Sequence, residues 1–209
     1  IDSNNENVWY VAVGSGGVWK TKNAGTTWMP LTDNMPFYST GSITIDPNDS
    51  SRIWVGTGEN VAGRHVGIGH GIYLSKDSGS TWDDMGLNKS EHISKIIVHP
   101  DNSNIIWVAS QGPLWNSGGD RGLFMSTDGG NTWSNKLYVN EWTGVTDIII
   151  DPTNPDILYA ATWQRHRNVA SLIDGGPGTS IYKSIDGGNT WNEIDSVSYT
   201  HLTLPTNKA

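Results

Sequence analysis

The sequence predicts an all-β protein: a β-propeller fragment of about four four-stranded blades. Three observations carry this. The phrase "SKDSGSTW" (75–82) returns as "STDGGNTW" (126–133) and "SIDGGNTW" (184–191), with a variant "TKNAGTTW" at 21–28. A second segment recurs upstream of it as "ITIDPNDSSRIWVGTG" (43–58), "IIVHPDNSNIIWVASQG" (96–112) and "IIIDPTNPDILYAATWQ" (148–164). The composition, with 25 Gly and 11 Trp against 2 Phe, suits short strands joined by tight turns.

The spacing sets the unit. Asn23, Asp77, Asp128 and Asp186 lie 54, 51 and 58 residues apart, and Pro47, Pro100 and Pro152 lie 53 and 52 apart, so the period is about 50 residues. In the third unit, strand A is "HISKIIV" (92–98), a His-Pro turn follows, strand B is "NIIWVAS" (104–110), strand C is "GLFMS" (122–126) and strand D opens at "TW" (132–133). Four strands with that period make one propeller blade, and a blade buries its two faces only against neighbours. Trp54, Trp107 and Tyr159 on strand B, with Tyr73, Phe124 and Tyr182 on strand C, supply that packing. The blades are expected at about 1–33, 40–86, 92–139 and 144–195, within a propeller region of 1–196.

The recurring phrase is a folding device. Its Asp accepts hydrogen bonds from the turn's own N–H groups, the Gly two residues on tolerates positive φ, the Thr closes the loop, and the Trp anchors strand D. Asn23, Asp77, Asp128 and Asp186 with Trp28, Trp82, Trp133 and Trp191 are therefore structural residues. Asn23 replaces the Asp of the other copies, so a looser turn is expected there. His99 takes the place of Asp46 and Asp151 in the A–B turn and is structural too.

Several functions are excluded. The formal charge of −8 argues against a phosphate-tracking surface, so no nucleic-acid partner is expected. No apolar run reaches the ~18 residues that span a bilayer, so no membrane insertion is expected. The absence of Cys removes disulfides and Cys-ligated metals. His65 and His70 with Glu59 lack a ligand spacing, and "DPTNPD" and "DGGN" lack the acidic register of a calcium loop, so neither metal nor cofactor is expected. The tail "VSYTHLTLPT" (197–206) resembles a translated sequencing adaptor, so 197–209 is set aside as non-native. The abrupt opening "IDSNNENVWYVAVGSGG" predicts a fragment of a longer chain, the remaining blades being its first partner.

The phrase S-x-D-x-G-x-T-W matches the Asp-box of the bacterial neuraminidase repeat. Together with the "DPTNPDILYAA" turn, it makes residues 1–195 similar to the sortilin-like Asp-box propellers, especially large bacterial proteins labelled glycosyl hydrolases. That resemblance implies that A–B turns and Asp-boxes share one face, while B–C and D–A loops surround the channel mouth on the other. The fold alone assigns no activity.

On the loop face, the B–C segments are 59–70, 111–121 and 163–178, and the D–A segments are 31–41, 86–94 and 138–145. Ligand-binding candidates are Arg64, His65, Trp115, Trp142, Trp163, Arg165, His166 and Arg167. The "WQRHR" run reads as a cationic lip for a carboxylate or sulfate, and the Trp side chains as sugar platforms. Glu59, Glu91 and Glu141, with Asp174, could supply the paired carboxyls of a glycosidase, although neither a sialidase arginine triad nor a matched xyloglucanase pair of catalytic Asp is evident. The preferred expectation is an extracytoplasmic, secreted or periplasmic module that binds a protein, peptide or glycan through this face. A glycoside hydrolase is the alternative, and an intracellular assembly scaffold the third reading.

Overall fold

Four antiparallel sheets make up the computed structural model, which describes residues 1–61 and 63–194; the tail at 197–209 lies outside them. The first sheet has three strands, β1 (Trp9–Val13), β2 (Gly17–Thr21) and β3 (Met29–Pro30). The second runs β4 (Thr40–Asp46), β5 (Asp49–Thr57), β6 (Ile72–Ser75) and β7 (Asp83–Asp84). The third runs β8 (Ile93–His99), β9 (Asn102–Ser110), β10 (Gly122–Ser126) and β11 (Ser134–Leu137). The fourth contains β12 (Thr143–Ile150), β13 (Leu158–Arg167), β15 (Ile181–Ser184) and β16 (Asn192–Glu193), and β14 (Leu172–Asp174) pairs with the far end of β13. No helix among the described residues is long and apolar enough to cross a membrane.

Period-2 alternation divides each middle strand between two neighbours. Trp54 turns toward the third sheet and packs with Ile96, Ile106 and Phe124, whereas the adjacent Val55 turns toward the first and packs with Val18 and Phe37. Trp107 repeats the pattern one sheet on, beside Val145, Ile148 and Leu158. Full burial of such side chains contributes ~1.5–3 kcal/mol each. The inner strands are also stitched directly. Thr44 Oγ1 donates to Ile96 O (2.7 Å), and Ser94 Oγ donates to both Ala109 O and Val145 O (3.1 and 3.0 Å).

Two features depart from the sequence reading. The inner strand is irregular at the same place in three sheets, between Thr40 and Ser42, Ile93 and Lys95, and Val145 and Asp147. These bulges bend each strand where it enters the loop face. The segment 163–178, expected as a loop, is so only in part: 163–167 is the outer half of β13, folded back through Asn168 onto β14, and 175–178 is irregular. The side-chain oxygen of Asn168 accepts from the N–H groups of Ala170 and Ser171 and so closes the hairpin turn.

Candidate functional site

The two ends of the sheets differ in kind. At one end, every Asp-box repeats a single network. Asp128 Oδ1 accepts from Thr132 N (2.9 Å) and Ser126 Oγ (2.8 Å), its Oδ2 accepts from Thr132 Oγ1 (2.6 Å), and Ser126 Oγ accepts from Gly130 N (2.8 Å). Asp77 and Asp186 match it within about 0.1 Å. Hydrogen bonds from the Thr hydroxyl and backbone hold all three carboxyls at about 2, below the ordinary carboxylate value. The Asn23 turn is not looser, contrary to expectation: Oδ1 accepts from Thr27 N (2.9 Å), and Nδ2 donates to Thr27 Oγ1 (2.9 Å), reversing one bond while losing the charge.

These turns also clamp neighbouring sheets. A Cβ on Gly130 would lie 2.5 Å from the Trp54 ring, and one on Gly188 would lie 2.5 Å from Trp107 Nε1. Trp133 Nε1 donates to Met85 O (2.7 Å) and Trp82 Nε1 to Leu31 O (3.3 Å), each in the preceding repeat, whereas Trp28 and Trp191 bond within their own turns. The Asp-box carboxylates and hydroxyls at this end are thus engaged within their own turns.

On the loop face the predicted residues separate by environment. Arg64, His65 and Glu141 are exposed, and Trp115 is partly so. Glu59 is committed to local structure, with Oε1 accepting from Ser15 Oγ (3.0 Å) and Oε2 from Gly67 N (2.8 Å). Trp142 and His166 form a half-buried ring pair with centroids 4.0 Å apart. Arg167 belongs to the β13–β14 hairpin, where its N–H donates to Leu114 O (3.0 Å). Trp163 lies under the guanidinium of Arg165 at 5.1 Å. Arg165 itself is fully buried, so it forms no part of a solvent-facing lip.

Glu91 stands apart from the other carboxylates. Burial pushes its carboxyl above the ordinary range, with the Arg121 charge pulling the other way. Its backbone is left-handed at φ 62°, and its carbonyl accepts from Gly69 N (2.8 Å). A Cβ on Gly58 would come within 1.9 Å of that carbonyl, which explains the glycine at that position. A non-glycine residue held in this conformation stores ~1–3 kcal/mol of strain, a frequent mark of functional positions.

Behind Glu91 lies a buried polar cluster that the sequence reading missed. Arg121 is fully buried, and its guanidinium donates to the carbonyls of Gln111, Pro113, Asn116, Gly118 and Trp142. His92 is held at about 4 by burial and by the nearby Arg165 charge, so its ring is neutral at pH 7. Burial likewise lowers Arg121 and Arg165 to about 10. Among the described residues, unpaired buried atoms concentrate here: His92 Nδ1, both amide atoms of Gln111, and Nε and Nη2 of Arg165. No group of three or more His, Asp or Glu among the described residues could hold a metal ion.

Comparison with known proteins follows this geometry. The chain is 27% identical over 210 residues to the xyloglucanase Xgh74A of Acetivibrio thermocellus, covering 88% of this chain and 24% of that protein. It is 23% identical over 209 residues to an oligoxyloglucan-reducing end-specific xyloglucanase of Emericella nidulans, covering 90% of this chain and 22% of that protein. The structure superposes on an ancestral GH74 enzyme with a TM-score of 0.70 at 23% identity, covering 94% of this chain and 23% of the other. The chain thus spans about a quarter of the length of these relatives. The Sortilin-Vps10 family, described as "Sortilin, neurotensin receptor 3", matches residues 16–136. That match covers more than half of the sequence, and with the repeated Asp-box sheets it establishes that the chain belongs to the Sortilin-Vps10 family of propellers.

Proposed function

We propose that the chain forms part of a glycoside hydrolase-type Asp-box propeller whose loop face holds a glycan. The observation that carries this is the similarity to xyloglucanases along about nine-tenths of the chain. It favours the hydrolase over the non-catalytic module that the sequence alone made the first choice, and it accords with an extracytoplasmic setting.

In this reading Glu91 is the proton donor. Cleavage of a glycosidic bond needs one carboxyl that keeps its proton near neutral pH and one that is ionised. Burial moves the Glu91 carboxyl upward, the direction a proton donor needs. Glu59 has both oxygens engaged, so the exposed Glu141 is the better second carboxyl. The half-buried Trp142 indole, packed beside His166, offers an apolar ring face to a sugar.

Titration of xyloglucan oligosaccharides, with a reducing-end assay alongside, tests the proposal. Binding with cleavage, and a Glu91→Gln variant that binds without cleaving, is the expected result. Binding without cleavage in the unsubstituted chain would restore the module reading, and no binding would remove both.

A further inference from the structure

The two buried arginines of the loop face are not equivalent. Arg121 is saturated by five backbone carbonyls and needs nothing more. Arg165, equally buried, donates through Nη1 to Val61 O (2.7 Å), while Nε and Nη2 have no hydrogen-bond partner among the described residues. No ion pair involves either guanidinium among the described residues. Leaving charged donors buried and unpaired is more unfavourable than leaving a neutral group so. The edge formed by Nε and Nη2 is the one that meets both oxygens of a planar carboxylate.

The surroundings fit an anion. Arg121 lies close enough to depress Arg165 further, His92 is neutral, and Gln111 has an unpaired amide N–H₂ in the same cluster. The charged side chains facing the site are Arg121 and, as the weaker acidic influences, Asp174 on β14 near Arg165 and Glu91 near Arg121. Trp163 flanks the guanidinium and excludes water from one side. The segment that supplies Val61 O meets the β13–β14 hairpin again at its tip, where Arg64 Nη2 donates to Val169 O (3.3 Å). This contact is solvent-exposed.

We propose that Arg165, through its free Nε–Nη2 edge, forms a subsite for the carboxylate of an acidic sugar residue. The subsite deepens the glycan reading above and rests on it: a glycan with a uronic-acid unit would place its carboxylate on Arg165 while neighbouring rings lie toward Trp142 and His166.

The test compares trigalacturonate with its methyl ester, the same sugar without the charge, by calorimetric titration of the chain. A bidentate charged contact should make the acid bind at least about tenfold tighter than the ester. In Arg165→Lys, which keeps the charge but removes the two-donor edge, that preference should fall below about threefold. Equal binding of acid and ester overturns the proposal without needing any variant to fold, and a preference that survives in Arg165→Lys overturns it as well. Competition by acetate at equal concentration would identify a small free carboxylate as the ligand and overturn the acidic-sugar assignment. A neutral xyloglucan oligosaccharide, run in parallel, separates the two ideas: if it binds while acid and ester do not differ, the glycan reading stands and the Arg165 subsite falls.

Discussion

Gly130→Ala should destabilise the chain through two separable effects. Gly130 has φ 91°, where an L-residue costs ~1–2 kcal/mol. Its new Cβ would also lie 2.5 Å from the Trp54 ring and 3.0 Å from Met85 Cε, and relieving such overpacking in a well-filled core costs ~1–3 kcal/mol. The loss of unfolded-state freedom returns ~0.4–1 kcal/mol. Gly118→Ala isolates the first effect, because Gly118 has φ 71° but nothing within 4 Å of its Cβ position. The unfolded-state contribution is the same in both variants and cancels in the comparison. Urea unfolding at constant m should place Gly130→Ala about 1–3 kcal/mol below Gly118→Ala. Equal losses would refute the reasoning, since they would mean that the Asp-box does not clamp Trp54 of the neighbouring sheet.

The remaining expectations are measurable in the same way. Ser78 holds the left-handed position that Gly129 and Gly187 occupy in two of the other boxes, so Ser78→Gly should raise stability by ~0.5–1 kcal/mol, read as a higher urea midpoint. Trp133→Phe removes the indole N–H donated to Met85 O and should cost ~1–2 kcal/mol by the same titration. Acid should act in two steps. His92 has a folded value of about 4 against an ordinary 6.5, so the unfolded state binds its proton first and stability falls as pH drops from about 6.5 to 4. Asp77, Asp128 and Asp186 are held at about 2 against an ordinary 3.8, so their contribution is present above 3.8 and is lost as pH falls through about 2. Unfolding followed against pH should show both steps, with Asp128→Asn weakening only the lower one.

The fold was legible because its signals are local and repeated. A turn that needs Asp, Gly and Thr at fixed offsets leaves the same eight letters each time, and strand alternation around Trp54 and Trp107 follows from period 2. The loop face was legible only as residue types. Arg165 and Arg121 look alike in sequence, yet Arg121 is closed off by five carbonyls, four of them within ten residues of it, whereas Arg165 bonds Val61 O from a distant segment and retains open donors. His92 was placed among the loop residues, but nothing nearby in sequence foretold its burial beside Arg165. The 163–178 segment falls between strands B and C in the repeat and therefore reads as a loop, yet its first five residues and Leu172–Asp174 are strand. They are so because β13 continues past its sheet and finds a partner in Leu172–Asp174.

The central claim, that ligand binding belongs to the loop face and the Asp-boxes serve structure, can be read from the indole N–H resonances of a ¹⁵N-labelled chain titrated with a xyloglucan oligosaccharide. The account predicts that Trp142 and Trp163 shift with saturation while Trp28, Trp82, Trp133 and Trp191 stay in place. Shifts confined to the four Asp-box tryptophans, with Trp142 and Trp163 unmoved, would contradict it.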